Sequence, residues 1–500
     1  MSFLRRFFVF LILVLGAGLL RFHCLGNWSF GYDELFTTLE TKILFNEIPV
    51  PEEILRNTQG QTISLEGTQY YRLPRLLFAS YVVHWLDYKL FGDDEFGSRV
   101  LMALMGSVGV GLVFLLAEPL FKTPTALLLA ILLLLSPEHL LYSQYNRFYC
   151  QSFLLISVVL LLGAHVAVRH SVSAAFWLGP AAILMVFSNS FGGIIWGGLI
   201  GAVLADRLCS KNDAPKTSSV AIFLLLTLWS IFLFGIAVFH IVPLTSSWNA
   251  AASWGYTPVH AAMSFVNILG WTFFLLGFLG IGLALARIQT HGNAYWLVCA
   301  AASGFAVLLL PLKIVYNPFY GFLFTFPFFV TAALFLGTVY ELLSRSEIPF
   351  ARLLAVLWAF CCVLLNLPSV VSYYQDGNRP DNRAAFQYVA EHWQEGDRLT
   401  GFLMGTAQYY IPDKSPKIPL STENTAAKLQ SILDQKTNGN GRLWVVLTSS
   451  RGGLSNDLRC WLGQHALFKT RFAKKRFDYA ENNVEVYLVT KSPPLSSKSP

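Results

Sequence analysis

The sequence has little charge for its length. Only 13% of its 500 residues are Asp, Glu, Lys or Arg, whereas 54% are hydrophobic. A soluble chain of this size needs more charged side chains to cover its surface, so the composition excludes an ordinary soluble protein. The net charge of +7 is also modest. Because the basic residues lie mostly in short segments between apolar runs, they do not indicate nucleic-acid binding.

Signals for several other classes are also missing. The seven cysteines lie mostly within apolar runs and show neither a disulfide framework nor a CxxC metal site. No glycine-rich nucleotide-binding loop is seen. The two halves of the chain show no clear repeat, and ionisable residues within the apolar runs are few. Both features disfavour a transporter or a lipid flippase.

The sequence is instead built from apolar runs, about eleven of which are long enough to span a bilayer. We therefore predict a polytopic α-helical membrane protein. The first run is interpreted as a retained span and not a signal peptide, because no small-residue cleavage site follows it at Leu20-Arg21. The predicted spans are 7–25, 98–121, 124–140, 151–168, 174–188, 191–208, 220–240, 262–286, 294–311, 321–341 and 352–371.

The basic residues predict the orientation of these spans. With the N-terminus inside the cell, the short outer loops hold few cations, Arg147 and Lys313. Excess Lys and Arg marks the cytoplasmic side, so we predict a multi-pass protein of the cytoplasmic membrane with a cytoplasmic N-terminus and an extracytoplasmic C-terminus. The cations on the predicted inner side are Arg5, Arg6, Lys122, Arg169, Arg207, Lys211, Lys216, Arg287, Arg345 and Arg352.

Two long segments interrupt this pattern. Residues 26–97 form the first outer loop of a transmembrane domain that covers 1–371. In this loop, Leu35–Phe45 and Tyr81–Phe91 are predicted to be helices on the membrane surface, because charges interrupt them. Residues 372–491 are predicted to form a small extracytoplasmic α/β domain, and 492–500 a disordered tail. The domain has predicted helices at 383–392, 425–433 and 457–465 and predicted strands at 398–402, 442–448 and 484–489.

The acidic pair Asp33-Glu34, preceded by Tyr32, follows the first span by only a few residues. Two carboxylates at membrane depth are costly unless they are paired or hydrated. They can act as a general base on a hydroxyl or bind a divalent metal. Alternatively, they can favour the N-terminus of a following helix, and residue chemistry alone leaves these alternatives open.

Cations on the predicted outer side are candidates for anion binding. Arg72 and Arg75 flank Pro74, where their guanidinium groups suit phosphate or anchor the chain at lipid headgroups. Arg147 requires an anion at this depth. Lys313 is either a snorkelling residue or a phosphate contact.

Two further features surround Arg147 in the sequence. Tyr142 and Tyr149 lie on either side of it, and Glu138-His139 precedes them at the end of the third predicted span. The candidate anions for Arg147 are the Asp33-Glu34 pair and a substrate phosphate. Glu138-His139 provides only half of a metal site, so an interfacial role is favoured for it.

Six short motifs occur in order along nearly the whole chain. They are Leu20-Arg21, Tyr32-Asp33-Glu34, Leu90-Phe91-Gly92 followed by Arg99, Ser136-Pro137, Ser143-Gln144 followed by Arg147 and Tyr149, and Asp381-Asn382-Arg383 followed by Gly396-Asp397. In this order the sequence resembles the GT-C glycosyltransferases. The branch that it resembles is bacterial, is like glycosyltransferase family 39, and is related to protein O-mannosyltransferases and lipid A aminoarabinose transferases.

This resemblance implies an enzyme that moves a sugar from a polyprenyl-phosphate donor to a hydroxyl of a glycan, lipid or protein acceptor. Transfer would invert the anomeric centre on the outer face of the membrane. Asp33 would be the general base, and Glu34 would orient it or, with Asp33, hold a divalent cation, the one cofactor left open. The donor phosphate would contact Arg72, Arg75, Arg147 and Lys313, and the substrate pocket would include Tyr32, Tyr142, Tyr149 and Tyr320.

The sequence departs from the pattern of this branch at three places. Arg72-Leu73-Pro74-Arg75 replaces a His-Pro-Pro or Lys-Pro, Tyr145 replaces an acid, and Tyr320-Gly321 replaces an Arg-Tyr. Lys313 is a candidate replacement for the missing arginine. These departures keep open a non-catalytic membrane protein of GT-C type. A lipid-linked sugar flippase or transporter is the other alternative.

Overall fold

In the computed structural model, the chain divides into two compact units. Of the described residues, 2–25, 44–47 and those from 78 to 371 belong to the first unit, and 26–43 and those from 372 onward belong to the second. The structure describes residues 2–47, 78–189, 191–209, 216–236, 257–290, 292–313, 318–346, 350–376, 380–401, 404–414, 417–419, 426–434, 442–448, 456–472 and 484–490.

As far as residue 376, the regular elements of the described residues are helices. Two short 3₁₀ segments, Gly97–Arg99 and Pro318–Phe324, lie among them. The helices are α1 (Phe3–Phe22), α2 (Tyr32–Leu44), α3 (Phe78–Phe91), α4 (Val100–Ala117), α5 (Thr123–Leu134), α6 (Pro137–Ser143), α7 (Tyr149–Arg169), α8 (Val172–Ser188), α9 (Gly192–Cys209), α10 (Lys216–Ile236), α11 (Pro258–Leu269), α12 (Trp271–Ala286), α13 (Asn293–Lys313), α14 (Phe326–Ser344), α15 (Ala351–Leu364) and α16 (Leu367–Asp376).

Within the described residues, seven helices are long and apolar enough to cross a membrane, and nine spans result if each of two bent helix pairs counts as one. Two shorter apolar helices, Val172–Ser188 and Asn293–Leu309, coincide with the remaining predicted spans. Each predicted span therefore contains an apolar helix, and the prediction of a polytopic α-helical membrane protein is confirmed. The segments Leu35–Phe45 and Tyr81–Phe91, which are predicted to lie on the membrane surface, also contain helices, α2 and α3.

Two of the predicted single spans are in fact broken. Helices α5 and α6 meet at 62° because Pro137 has no N–H, and the Ser136 hydroxyl accepts a hydrogen bond from His139 N that starts a new helix. Helices α11 and α12 meet at 100°. Gly270 lies between them with φ 79°, a conformation that glycine adopts without steric cost. The sequence predicts one span at each place and does not predict the break within it.

The second unit combines α2 with a mixed five-stranded sheet. The order of the strands is β2-β1-β3-β5-β4. β1 is parallel to β2 and β3, and β5 is antiparallel to β3 and β4. The elements are α17 (Asn382–Glu391), β1 (Arg398–Gly401), α18 (Met404–Tyr410), β2 (Lys417–Pro419), α19 (Ala426–Asp434), β3 (Arg442–Thr448), α20 (Asn456–His465), β4 (Ala466–Phe472) and β5 (Val484–Thr490).

Alternating side chains of the central strand β3 fill a core on each side of this sheet. Trp444 belongs to a core with Phe386 of α17, and Val445 belongs to a second core with Leu429 of α19 and Leu458 of α20. Successive residues of a strand point to opposite faces, so helices cover both faces of the sheet. The three predicted strands and three predicted helices are confirmed, whereas β2 and β4 were not predicted.

Candidate active site

The acidic pair lies in the first turn of α2, in the second unit. Glu34 is fully buried, and its Oε2 atom accepts a hydrogen bond from Gly31 N at 2.9 Å. The Gly31 carbonyl in turn accepts from the N–H groups of Glu34 and Leu35, each at 3.2 Å. Glu34 therefore occupies the position of the acidic residue in a capping box, in which a carboxylate three residues into the helix bonds the N–H of the capping residue.

Asp33 has a different environment from Glu34. Its side chain is only half-buried, and its backbone carbonyl accepts a hydrogen bond from the Thr37 hydroxyl at 2.9 Å. As the second residue of α2, it carries negative charge where the helix dipole favours it. Both carboxylates thus lie where they stabilise the start of α2, and the half-buried Asp33 carboxylate also has the exposure that a proton acceptor needs.

A metal centre built by the protein alone is absent from the described part of the chain. No three His, Cys, Asp or Glu side chains there lie close enough together to hold a metal ion. Mg²⁺ is commonly held by one or two carboxylates together with substrate phosphates. A divalent cation at Asp33 would accordingly depend on ligands that the substrate supplies.

Arg147 lies in the first unit, in the short segment between α6 and α7. Its guanidinium group is 5.2 Å from the centre of the Phe148 ring. The adjacent Asn146 is fully buried and donates to the Tyr88 hydroxyl of α3 at 3.0 Å. The polar side chain next to Arg147 therefore attaches this segment to α3.

His84 of α3 is close to Arg147. Its side chain is 1% exposed, and burial together with the Arg147 charge lowers the pKa of His84 to about 3, while the Asn146 side chain acts in the opposite direction. The imidazole is consequently neutral at physiological pH, so the positive charge of this pair is carried by Arg147 and not by His84.

Asp87 lies one helical turn after His84 and is fully buried. Its Oδ1 atom accepts from Leu101 N at 3.1 Å, and its Oδ2 atom has no hydrogen-bond partner among the described residues. Burial raises the pKa of Asp87 to about 7, although the bond from Leu101 N acts in the opposite direction. Asp87 is therefore a buried carboxyl group that is partly protonated at neutral pH.

Three of the tyrosines predicted to line the substrate pocket come together in the first unit. The ring centre of Tyr149 is 4.9 Å from that of Tyr142 and 6.2 Å from that of Tyr320. Phe322 adds a further ring, 4.4 Å from Tyr142. Tyr145, which replaces an acid of the resembled branch, is 6.4 Å from Tyr142 and thus extends the same aromatic cluster.

A buried arginine holds the bent pair α5–α6 against α1. Arg21 is fully buried and donates to the Leu133 carbonyl at 3.4 Å and to the Ser143 hydroxyl at 3.2 Å. Its Nη2 atom is also 2.7 Å from His139 Nδ1. Because His139 is engaged in this way, the structure favours a packing role for it over half of a metal site.

Comparison with other proteins was made for the sequence and for the fold. Residues 77–232 match the family described as dolichyl-phosphate-mannose-protein mannosyltransferase. No curated protein gives a significant match to the sequence. The crystal structure of apo ArnT from Cupriavidus metallidurans is similar over 96% of this chain and 97% of that chain, with a TM-score of 0.56 and 14% identity.

Two further solved structures have the same fold. ArnT from Cupriavidus metallidurans bound to undecaprenyl phosphate matches 97% of this chain and 98% of its own, with a TM-score of 0.53 and 14% identity. The archaeal oligosaccharyltransferase AglB from Archaeoglobus fulgidus, in complex with an inhibitory peptide and a dolichol-phosphate, matches 93% of this chain and 73% of its own, with a TM-score of 0.55 and 14% identity. The chain has the GT-C fold.

The sequence match and the GT-C fold differ in extent. The matched residues 77–232 include α3 and the segment that carries Arg147, whereas the fold extends over nearly the whole chain. Asp33 lies outside the matched residues.

The remaining predicted site residues are described only in part. Arg72 and Arg75 lie outside the described residues, and for Lys313 and Tyr32 the structure gives the backbone only, at the end of α13 and the start of α2. Sequence analysis did not select His84 and Asp87 as site residues. The available signal was that both are ionisable residues in a mostly apolar segment that is predicted to be helical.

Proposed function

We propose that this protein is a glycosyltransferase that transfers a sugar from a polyprenyl-phosphate donor to an acceptor hydroxyl, with inversion at the anomeric carbon. The observation that carries the proposal is the GT-C fold. It is shared over nearly the full length with a structure that binds undecaprenyl phosphate and with one that binds a dolichol-phosphate. A long lipid donor also suits a protein whose candidate residues adjoin membrane-spanning helices.

The proposed reaction is a single displacement. The acceptor oxygen attacks the anomeric carbon, the bond from that carbon to the phosphate oxygen breaks, and the polyprenyl phosphate leaves with the electron pair. Asp33 takes the proton of the acceptor hydroxyl, and Glu34 orients Asp33 by fixing the start of α2. A cation at the donor phosphate stabilises the charge that develops on the leaving group, and this is the role proposed for Arg147, with Arg72, Arg75 and Lys313.

The tyrosines 32, 142, 149 and 320 are proposed to line the substrate pocket, where aromatic rings pack against the faces of a sugar. If a divalent cation takes part, Asp33 would hold it with Glu34, and the cation would supply further neutralisation of the donor's negative charge when bound. The excess of cations on one side of the spans supports a reaction on the extracytoplasmic face of the cytoplasmic membrane. The acceptor is a hydroxyl group of a glycan, a lipid or a protein.

The test begins with purified full-length protein, a panel of radiolabelled undecaprenyl-phosphate hexoses and pentoses, and membranes of the expression host as the source of acceptors. Wild-type protein is expected to consume at least one donor. Asp33→Asn should lower the rate by about 10²- to 10⁴-fold, the range for loss of a general base.

Asp457→Asn is a matched control for this variant. Asp457 is exposed and is also the second residue of a helix, α20, so its replacement removes the same favourable interaction with a helix dipole. This control should keep full activity. Full activity of Asp33→Asn in folded protein would exclude the proposed base, and no donor consumption by the wild type would contradict the transferase function.

The role of Arg147 is tested by measuring how the rate of transfer depends on the concentration of the donor. Arg147→Ala should raise the donor concentration needed for half-maximal rate, because a phosphate contact is lost. An unchanged donor dependence would exclude Arg147 from the phosphate site.

A further inference from the structure

The segment that leads into the acidic helix is attached to the C-terminal α/β fold of the same unit. The Ser29 hydroxyl donates to the Pro380 carbonyl at 2.7 Å and accepts from Asn382 N at 3.2 Å. The side-chain amide of Asn382 donates to the Phe30 carbonyl at 2.9 Å. Phe30 N donates to the Tyr410 hydroxyl at 2.7 Å. We call these four residues, Ser29, Phe30, Asn382 and Tyr410, the Phe30 anchor.

The anchor satisfies both backbone groups of one buried residue. Phe30 is fully buried, and the ring of Tyr409 packs edge-on against its ring with the centres 5.2 Å apart. Buried backbone N–H and C=O groups require partners, and here both partners are side chains from distant parts of the sequence. Asn382 is the first residue of α17 and Tyr410 is the last residue of α18. The sheet-covering helices therefore fix the position of Phe30.

The position of Phe30 determines where α2 begins. The N–H of the next residue, Gly31, donates to the Glu34 carboxylate, and the Gly31 carbonyl is the first hydrogen-bond acceptor of the helix. Asp33 follows two residues later. A displacement of Phe30 would move the start of α2, and with it the Asp33 carboxylate.

We infer that Asn382 and Tyr410 are positioning residues for Asp33, and that a function of the α/β domain is to hold the acidic helix in its catalytic orientation. This inference rests on the proposed role of Asp33 as general base. It also gives a physical role to Asn382, which the sequence shows only as part of a motif. Because a misplacement of about 1 Å in an active site can cost about 10²-fold in rate, two hydrogen bonds at this place matter for catalysis.

Tyr410→Phe and Asn382→Asp test the inference with little change in shape. The first removes the acceptor of Phe30 N, and the second removes the donor to the Phe30 carbonyl. Tyr487→Phe is the matched control, since it removes a tyrosine hydroxyl in the same domain that donates to Glu485 at 2.6 Å. All proteins are full-length and purified in detergent.

The first measurement is amide hydrogen exchange, followed by mass spectrometry of peptides that cover residues 30–40. Loss of one anchor bond is expected to speed exchange there by about tenfold, which is the usual effect of one hydrogen bond on a local opening equilibrium. Exchange in β3 and β5 should stay unchanged, as should exchange throughout Tyr487→Phe. Unchanged exchange over 30–40 in both anchor variants would overturn the anchor.

The second measurement is donor consumption by the folded protein at increasing donor concentrations. Displacement of Asp33 is expected to lower kcat by about tenfold or more and to leave KM for the donor unchanged, because the base acts in the chemical step. Faster exchange with an unchanged kcat would overturn the positioning role. A wild-type protein that consumes no donor would contradict the proposed function and, with it, the positioning role, whereas the exchange data would still decide whether the anchor exists.

Discussion

The contacts of Arg21 provide a quantitative test of how the first unit is held together. Arg21→Met keeps most of the side-chain volume but removes hydrogen bonds to the Ser143 hydroxyl, the Leu133 carbonyl and the His139 ring. All these groups are buried, so water does not replace the guanidinium. We expect the variant to be less stable, with α5 and α6 held more weakly against α1.

The expected loss follows from the partners that remain. A buried hydrogen bond to a charged group contributes about 1.5–3 kcal/mol. In the variant, the Leu133 carbonyl still accepts a long hydrogen bond from Ser136 N at 3.4 Å, and His139 Nδ1 still lies 3.4 Å from the Ser143 hydroxyl. The variant therefore loses less than the full stabilisation of three hydrogen bonds. We therefore expect a loss of about 3 kcal/mol, which is roughly a 100-fold change in the folding equilibrium.

The protein is unfolded by SDS in mixed micelles, and unfolding is monitored through the fluorescence of the 13 tryptophans. Arg169→Met is the control, because Arg169 is exposed and donates to the single carbonyl of Pro119. It should change the unfolding free energy by no more than about 0.5 kcal/mol, as is usual for surface substitutions. Arg21→Lys should be intermediate, since an ammonium group lacks the planar fork of a guanidinium. A loss below about 1 kcal/mol in Arg21→Met would refute the reasoning.

Two other substitutions test buried sites in the same unit by the same unfolding method. The pKa of Asp87 is raised from 3.8 to about 7, so the folded state binds this proton more tightly than the unfolded state. Wild-type stability should then fall as the pH rises through this interval, and Asp87→Asn should remove that slope; equal slopes in the two proteins would contradict the prediction. In Gly106→Ala the new Cβ atom would lie 2.2 Å from Ser143 Oγ, and we expect a loss of about 1–3 kcal/mol. Gly304→Ala, where nothing lies within 4 Å of the new atom, should be neutral or slightly stabilising, and an equal loss in both variants would argue against a steric cause.

The helices of the first unit were largely predictable because each membrane span carries a long apolar run. The two breaks were not predicted, although Pro137 and Gly270 are visible in the sequence. Proline and glycine occur in many unbroken spans, because neighbouring helices can satisfy the freed backbone groups. The local sequence therefore does not decide whether a span bends at such a residue.

In the second unit, strand prediction succeeded for β1, β3 and β5 and failed for β2 and β4. β3 and β5 are rich in Val and Leu, whereas the edge strand β4 carries Lys469 and Arg471. Charged residues on an edge strand discourage further strand pairing, and they also weaken the sequence signal. The attachment of the acidic helix was not predictable for another reason. Its hydrogen bond from Phe30 N to Tyr410 joins residues 380 positions apart.

The buried arginines and the helix ends in the first unit have a common explanation. A guanidinium group in an apolar interior needs hydrogen-bond acceptors, and a helix that ends leaves carbonyl groups without intrahelical partners. Arg99 donates to the Leu25 carbonyl beyond the end of α1 at 3.1 Å, and Arg21 donates to Leu133 at the proline break. Arg21 and Arg99 thus each bind a carbonyl at or beyond the end of a helix.

The same arrangement positions the candidate donor-binding segment. Gln144 follows the Ser143 that Arg21 contacts, and its side-chain amide donates to the carbonyls of Arg21 and His23, each at 2.8 Å. Two successive residues at the end of α6 are in this way attached to the end of α1. Arg147 comes three residues later, after a segment too short to move independently of both helices. The end of α1 therefore fixes the position of Arg147 beside α3. Arg21, a buried polar residue of the first span, thus influences the candidate site without contacting a substrate.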